Sequence, residues 1–179
     1  TILDRETVKG VSVIAQFDRA IAFFERYCEY EAIEGADRVS VERIPKKAFR
    51  EAIANALAHR TWDVDACVRI SLSDDDAEIV SPGGLVPGMT KEAYLEGRFS
   101  LLRNPVLAES MFRAGLIEKF GTGVRRIRRA YEGTGSSPSF EVGDGYISVK
   151  LPFVDRRCAL TDEERLVLDA IPENRLVSR

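Results

Sequence analysis

The most regular alternation of apolar and polar positions lies between Ala48 and Trp62, a segment rich in alanine and free of Gly and Pro. Such a composition predicts an α-helix. Two sets of residues recur in it at every fourth position, the polar set Glu51, Asn55 and His59 and the apolar set Phe49, Ile53 and Leu57. Residues four apart share one face of a helix. We therefore expect the apolar set to enter a core and the polar set to face a cavity or solvent.

Similar patterns predict further elements in a definite order. Helical spacing predicts helices at residues 11–30, 90–96, 104–114, 124–131 and from 161 onward. Period-two alternation predicts strands at residues 31–44, 67–73, 77–80 and 145–153. Asn104 is expected to cap its helix, with Pro105 at the first helical position. This order predicts an α+β sandwich whose helices pack on one face of a mixed or antiparallel sheet.

Composition bounds the class of protein. The chain has 179 residues, of which 45% are apolar and 31% charged, as expected for one soluble domain or one domain with a piece of another. Its net charge of -3 provides no overall attraction to nucleic acid. No apolar run approaches the roughly 20 residues of a membrane span, and no signal peptide is visible. These features favour a cytoplasmic protein without membrane contact.

The cysteines and the single histidine offer little for a metal centre. Cys28, Cys67 and Cys158 lie far apart, and an odd number leaves one outside any disulfide, so reduced thiols are expected. One His in the whole chain argues against zinc. Thr1 stands where a Met would begin a chain, and a helical pattern is interrupted at Arg179, which indicates a fragment.

Glu51 and Asn55 form the most informative polar pair. An amide oxygen is a hard, neutral ligand suited to Mg²⁺, and a carboxylate one turn away can hold and deprotonate a water that attacks phosphorus. Small alanines between them would let a ligand approach closely. The spacing alone is also compatible with an ordinary surface helix whose polar side faces water.

Two glycine-containing segments could border a ligand. Residues 81–88 contain two glycines and two prolines, which fix a tight loop after the predicted hairpin. Residues 121–123 read Gly-Thr-Gly at the start of a helix, where backbone N–H groups and the helix dipole favour phosphate. Four arginines follow in that helix, at positions 125, 126, 128 and 129. They could pair with phosphates or DNA, or form the solvated face of an amphipathic helix.

The run from Glu51 to His59, with Arg60 behind it, resembles the N-box of the Bergerat-fold (GHKL) ATPases. Within that superfamily it is most similar to RecG-related, DNA-helicase-related transcriptional regulators, which join a Schlafen-type domain, an ATPase-like domain and a winged helix. The resemblance extends over residues 8–153. It implies a Bergerat-type two-layer sandwich and a mobile lid at residues 90–120. A helicase activity is not expected, because the chain has no Walker-type Gly-Lys-Ser/Thr motif.

The resemblance also implies roles for individual residues in binding ATP and Mg²⁺. Glu51 corresponds to the water-activating base and Asn55 to the Mg²⁺ ligand, with His59 as a secondary candidate on the same stripe. Ser81 stands where the superfamily has an adenine-reading Asp. The glycines correspond to two boxes, with Gly83 and Gly84 bordering the base and Gly121, Thr122 and Gly123 contacting phosphates.

The same resemblance implies a domain plan and a function. Residues 1–154 would form the ATPase-like domain, with residues 1–44 as a leading helix and strand. Residues 155–160 would be a linker, and residues 161–179 the start of a truncated winged helix-turn-helix. We expect an ATP-binding regulatory domain of a DNA-binding transcriptional regulator, with ATP hydrolysis and homodimer formation left open. DNA would be contacted through domains missing from this chain.

An alternative function belongs to a different class. The domain could be a degenerate, non-nucleotide-binding spacer or dimerisation module in the same kind of DNA-binding protein. The Ser at position 81 favours this alternative, whereas the retained Glu51 and Asn55 favour nucleotide binding. Titration with ATP and Mg²⁺ separates the two.

Overall fold

The computed structural model describes residues 5–34, 37–97, 101–117 and 122–154. Within these ranges the helices are α1 (Val13–Cys28), α2 (Lys46–His59), α3 (Lys91–Glu96), α4 (Pro105–Arg113) and α5 (Gly123–Ala130). The strands are β1 (Glu29–Glu34), β2 (Asp37–Glu42), β3 (Arg69–Leu72), β4 (Asp76–Pro82), β5 (Ser139–Gly143) and β6 (Tyr146–Pro152). The α+β class is confirmed.

The main sheet has four strands in the order β3-β4-β6-β5, and every neighbouring pair is antiparallel. Ala77 and Ile79 of β4 are buried and stand opposite Leu151 and Val149 of β6. Since side chains alternate across a strand, these four residues share one face of the sheet. That face forms the floor on which α2 packs, so the sheet has one helix-covered side.

Helix α2 is the central helix. Its apolar residues Phe49, Ile53 and Leu57 are buried as predicted, and the Phe49 ring lies 4.7 Å from that of Phe24 in α1. Its alanines 48, 52, 54, 56 and 58 are buried as well. Because alanine has so small a side chain, neighbouring elements can approach the helix from several directions. Helix α2 is thereby surrounded by α1, α4, α5 and the sheet.

The ends of α2 differ from the sequence prediction by a few residues. The helix begins at Lys46, whose backbone N–H donates to the Glu42 carboxylate at 2.7 Å. That bond satisfies one of the donors that the first turn of a helix leaves free. The helix ends at His59 because Arg60 adopts an extended backbone with ψ 152°. Trp62 lies beyond the helix.

Two further expectations need correction. Residues 31–44 do not form a single strand: β1 and β2 pair antiparallel with each other and lie outside the main sheet. The leading segment is therefore a helix and a hairpin. Strand β5 was not predicted, because residues 139–143 are too short a run to show a clear period. The expected linker at 155–160 and winged helix at 161–179 lie outside the described residues.

None of the described helices combines the length and the apolar character that crossing a bilayer requires.

Candidate functional site

A cavity of about 110 Å³ lies between α2, the inner face of the sheet and the segment that contains α3, α4 and α5. One water needs roughly 10–15 Å³ on a comparable measure, so the cavity has room for part of a small organic molecule. Most of the predicted site residues line it, namely Glu51, Asn55, His59, Ser81, Gly83, Gly84 and Gly123. Three separated stretches of sequence therefore meet around one space.

Two predicted residues stand apart from this group. Thr122 immediately precedes α5 and is not among the residues that line the cavity. Gly121 lies outside the described residues, as does Lys119. Of the phosphate-binding segment expected at residues 121–123, Gly123 is the residue that lines the cavity.

Glu51 and Asn55 contact each other at one end of the cavity. They lie one turn apart on α2, and Nδ2 of Asn55 donates to Oε1 of Glu51 at 3.3 Å. The Glu51 side chain is 16% exposed, so it is largely withdrawn from water while still lining the cavity. The polar stripe predicted for α2 does face a cavity, and the surface-helix interpretation is wrong for these two residues.

Arg126 of α5 completes this polar cluster. Its Nη1 atom lies 3.3 Å from Oε2 of Glu51, and its side chain is 29% exposed. The two oxygens of Glu51 therefore contact different partners, Asn55 on its own helix and Arg126 on another. A buried carboxylate is costly unless it is paired and hydrogen-bonded, and both conditions are met here.

Gly123 lets α5 approach the acid and amide pair. A Cβ atom at this position would overlap Nδ2 of Asn55 and lie 2.8 Å from Oε1 of Glu51. A side chain at this position fits only if the Asn55 and Glu51 side chains move aside. The first residue of α5 consequently places its backbone directly beside the Glu51 and Asn55 side chains.

The Pro-Gly-Gly loop forms another wall. Gly83 has a φ of 102°, and a Cβ there would overlap the Thr61 side chain, so glycine is required on both counts. A Cβ on Gly84 would lie 3.2 Å from the carbonyl oxygen of Gly143. The Gly83 N–H donates to the Gly145 carbonyl at 2.7 Å, which ties the loop to the β5–β6 turn. Because these glycines have no side chains, the backbone of the loop packs directly against Thr61 and the β5–β6 turn.

Ser81 and Asn104 secure the last turn of α2. The buried Ser81 hydroxyl donates to the Ala56 carbonyl at 2.8 Å. Nδ2 of Asn104 donates to the carbonyls of Ala58 and Arg60, both at 2.9 Å. The last carbonyls of a helix have no partner within it, so Asn104 satisfies that end, and Ser81 adds a bond one turn earlier. Asn104 precedes α4 as predicted, but its side chain caps the end of α2 and makes no cap bond to α4.

His59 sits at the same end of α2 and lines the cavity. Burial lowers the pKa of its imidazole from the ordinary 6.5, and the nearby positive charge of Arg103 lowers that pKa further. A neutral imidazole can donate one hydrogen bond and accept another. His59 therefore adds a neutral polar group to the cavity.

The rest of the cavity wall is largely apolar. It includes Ile79 and Val149 from the sheet. The loop after β4 adds Leu85, Val86 and Met89, and the segment expected to act as a lid adds Tyr94, Leu101 and Leu102. Burial raises the pKa of the Tyr94 phenol to about 12, so it stays protonated at neutral pH. Sequence patterns did not identify these residues, because an apolar residue that lines a pocket looks like any core residue.

Three of the four α5 arginines, at positions 125, 128 and 129, are exposed, as the solvated-face interpretation predicted. Nε of Arg125 donates to the Glu96 carbonyl at 3.2 Å, and Nη1 of Arg128 donates to the Leu95 carbonyl at 2.7 Å. These two side chains cap the end of α3. Arg126 turns to Glu51, and Arg129 is exposed. The helix thus uses its arginines to hold the lid segment and the polar cluster, in addition to facing solvent.

The donor set fits a magnesium-bound polyphosphate better than a metal held by protein alone. Among the described residues, no group of three or more His, Cys, Asp or Glu side chains could hold a metal ion. Glu51 and Asn55 offer one carboxylate and one amide oxygen. Mg²⁺ often takes one or two protein oxygens and completes its shell with phosphate oxygens and water. The site therefore suits Mg²⁺ that arrives with a phosphate ligand.

Part of the chain is similar to a known family. Residues 65–151 match the family model described as "Putative ATP-dependent DNA helicase recG C-terminal". The matched span contains the Pro-Gly-Gly loop and α5 but begins after α2. It therefore covers two of the three stretches that meet at the cavity, and the stretch with Glu51 and Asn55 lies outside it.

A solved structure is also similar to this chain. It is the crystal structure of the DIP2311 protein from Corynebacterium diphtheriae, with a TM-score of 0.67 and 28% sequence identity over 80% of this chain. The similar region makes up 30% of the DIP2311 chain, so this chain spans less than a third of that protein. No curated protein matches it. The family match supports the conclusion that the chain contains an ATPase-like domain similar to those of RecG-related proteins.

Proposed function

We propose that this domain binds ATP together with Mg²⁺ and serves as the regulatory nucleotide-binding unit of a DNA-binding transcriptional regulator. The observation that carries the proposal is the meeting of Glu51, Asn55, the Gly83–Gly84 loop and Gly123 around one cavity. An apolar wall with a few convergent polar groups is the usual form of a small-molecule site. A purine with a phosphate chain combines the two chemistries that such a cavity offers.

The base would lie against the apolar wall beside the Pro-Gly-Gly loop. Ile79 and Val149 supply apolar surface there, and the glycines allow a flat ring to approach the backbone. The Ser81 hydroxyl gives its hydrogen to Ala56, but its oxygen keeps lone pairs that can accept an amino hydrogen. Ser81 could therefore take over part of the role of the missing Asp.

The phosphates would lie at the start of α5, next to Glu51 and Asn55. Backbone N–H groups in the first turn of a helix lack partners within the helix, and the dipole there favours negative charge. The Asn55 oxygen would hold Mg²⁺, and Glu51 would position the water. Bound Mg²⁺ would neutralise charge that develops on the phosphate oxygens.

Calorimetric titration with ATP and Mg²⁺ tests the proposal. We expect saturable heat for the wild-type chain, and we expect Asn55→Ala to remove it because the amide ligand is lost. Ser110→Ala is the control, since the Ser110 hydroxyl is exposed and bonds within α4. If the wild-type chain gives neither heat nor a thermal shift at millimolar ATP, the spacer or dimerisation function is the better account.

ATP hydrolysis is tested separately from ATP binding, with a substitution of Glu51. If Glu51 accepts the proton of the attacking water, Glu51→Gln keeps ATP binding but abolishes turnover, because an amide is not a base at neutral pH. Phosphate release measured at saturating ATP checks this. Equal rates for mutant and wild type would exclude Glu51 as the base.

DNA contact and assembly are proposed to depend on parts beyond the described domain. The chain carries a net charge of -3, and arginines 125, 126 and 128 of α5 are engaged within the domain. Nucleotide binding would then act on DNA-binding domains elsewhere in the protein. Homodimer formation remains an open part of the proposal, measurable by sedimentation with and without ATP.

A further inference from the structure

Glu51 is engaged at both oxygens, which limits what it can do in the arrangement described. Oε1 accepts from Asn55 and Oε2 from Arg126, each at 3.3 Å. A carboxylate oxygen that already accepts a hydrogen bond from a guanidinium is less available to a water proton or a metal ion. Glu51 is therefore more available to a water or a metal ion once Arg126 leaves it.

Arg126 is well placed to find another anion. It lies three positions after Gly123 in α5, so the two residues share a face of the helix. Gly123 is the point where α5 touches the Glu51 and Asn55 pair. The helix turn that offers free N–H groups to a phosphate therefore also carries a guanidinium group.

Phosphate is a strong competitor for that guanidinium. Arginine pairs with phosphate through two parallel hydrogen bonds, and such charge-assisted bonds are about twice as strong as neutral ones. A polyphosphate also carries more negative charge than one carboxylate. Without such a ligand, Arg126 supplies the charge that a largely buried Glu51 needs.

We propose that Arg126 is a positioning residue that exchanges the Glu51 carboxylate for the phosphates of a bound nucleotide, and so releases Glu51 when the site is filled. This inference rests on the proposed function. The exchange moves one positive charge from the acid to the ligand, and the Glu51 carboxylate keeps its hydrogen bond from Asn55. It couples the phosphate-facing end of α5 to the polar stripe of α2.

The neighbouring arginines provide the contrast. Arg125 and Arg128 donate to backbone carbonyls of α3, so their loss would affect the lid segment. Arg129 is exposed on the same helix. Arg129→Met removes the same charge as Arg126→Met at a position away from the acid, which makes it the matched control for long-range electrostatics.

The experiment is calorimetric titration of the full chain with ATP and Mg²⁺ for wild type, R126M, R126K, R129M, E51Q and E51Q/R126M. We expect R126M to weaken ATP binding about tenfold, as befits loss of a charge-assisted bond. R126K should restore part of the affinity, and R129M should match wild type within about twofold. E51Q should tighten binding several-fold, because Arg126 no longer has to leave a carboxylate, and this gain should vanish in the double mutant.

The outcomes separate this inference from the proposed function. If wild type binds ATP but R126M binds as tightly as R129M, the exchange is wrong and the nucleotide site stands. An E51Q gain that persists without Arg126 would also overturn the exchange. If wild type binds no ATP, both proposals fail. Should R126M not fold, E51Q still decides, since no gain in affinity would contradict release of the guanidinium.

Discussion

A substitution at Gly123 can separate an effect on ATP affinity from an effect on the stability of the fold. A Cβ there would press on the ends of the Asn55 and Glu51 side chains, which can rotate away, and not on backbone. We expect Gly123→Ala to change the free energy of unfolding little, because alanine is favoured over glycine in a helix by about 1 kcal/mol and offsets part of the strain. The displaced acid and amide pair should nevertheless cost at least about tenfold in ATP affinity.

Thermal unfolding and ATP titration of the same sample check this prediction. Gly133→Ala is a useful contrast, because a Cβ added at Gly133 would meet no neighbour but alanine would be strained at its φ of 79°. It should lower stability without changing ATP affinity. Unchanged ATP affinity in Gly123→Ala would mean that the Glu51 and Asn55 side chains do not need their present positions.

His59 gives a prediction about pH. Its pKa is lowered in the folded protein by burial and by Arg103, whereas the unfolded chain keeps the ordinary value of 6.5. The unfolded state then binds more protons than the folded state near and below pH 6.5, so stability rises with pH in that range. The stabilisation is complete above pH 6.5 and is lost as pH falls toward the folded pKa.

A proton NMR titration measures this directly, because the chain has one histidine. We expect a midpoint below 6.5, and we expect His59→Gln to flatten the dependence of unfolding free energy on pH between 5 and 7. A midpoint at or above 6.5 would show that the imidazole is solvated or paired with an acid.

At the residue scale, sequence alone predicts which side chains share a helix face but not which distant residues contact each other. Glu51, Asn55 and His59 could be predicted to share a face because the spacing of helical residues fixes it. Arg126 could not be paired with Glu51, since 75 positions separate them and no local rule relates them. Asn104 shows a local rule overridden: its position before Pro105 predicted a cap for α4, but tertiary contact directs its amide to α2.

At the scale of elements, side-chain hydrogen bonds from other parts of the chain hold the end of α2 in place. The Ser81 hydroxyl is the buried link from β4 to the last turn of α2. We expect Ser81→Ala to lower the free energy of unfolding by about 1 kcal/mol, because the buried hydrogen bond to the Ala56 carbonyl is lost. Urea denaturation measures this, with Ser110→Ala as the exposed control expected within about 0.5 kcal/mol of wild type. Equal effects of the two substitutions would mean that the link does not stabilise α2.

Helices were easier to predict than strands in this chain. The period of α2 extends over 14 residues, which gives a clear signal. Strand β5 has five residues, too few to show a clear period. Its pairing with β6 defines it as a strand. The β1–β2 hairpin was predicted as one strand because alternation cannot show where a chain reverses. Strand pairing is a property of two segments, so a pattern within one of them does not reveal it.

At the scale of the whole molecule, charge predicts that the chain alone is a poor DNA ligand. The net charge is -3, and at least three arginines of α5 make internal contacts. Nonspecific DNA binding depends on cations that can neutralise phosphates. We expect no change in the fluorescence anisotropy of a labelled duplex at about 150 mM salt. Saturable binding there would place a DNA surface within this chain.

The fold class followed from the order of elements, and the meeting of three stretches around one cavity is a property of the assembled chain. The most direct test of nucleotide binding is a crystal structure of the chain with Mg²⁺ and a non-hydrolysable ATP analogue. We predict the base between the Gly83–Gly84 loop and the apolar wall, and the phosphates beside Gly123 and Asn55. A nucleotide bound elsewhere, or an empty cavity at saturating analogue, would contradict the proposed site.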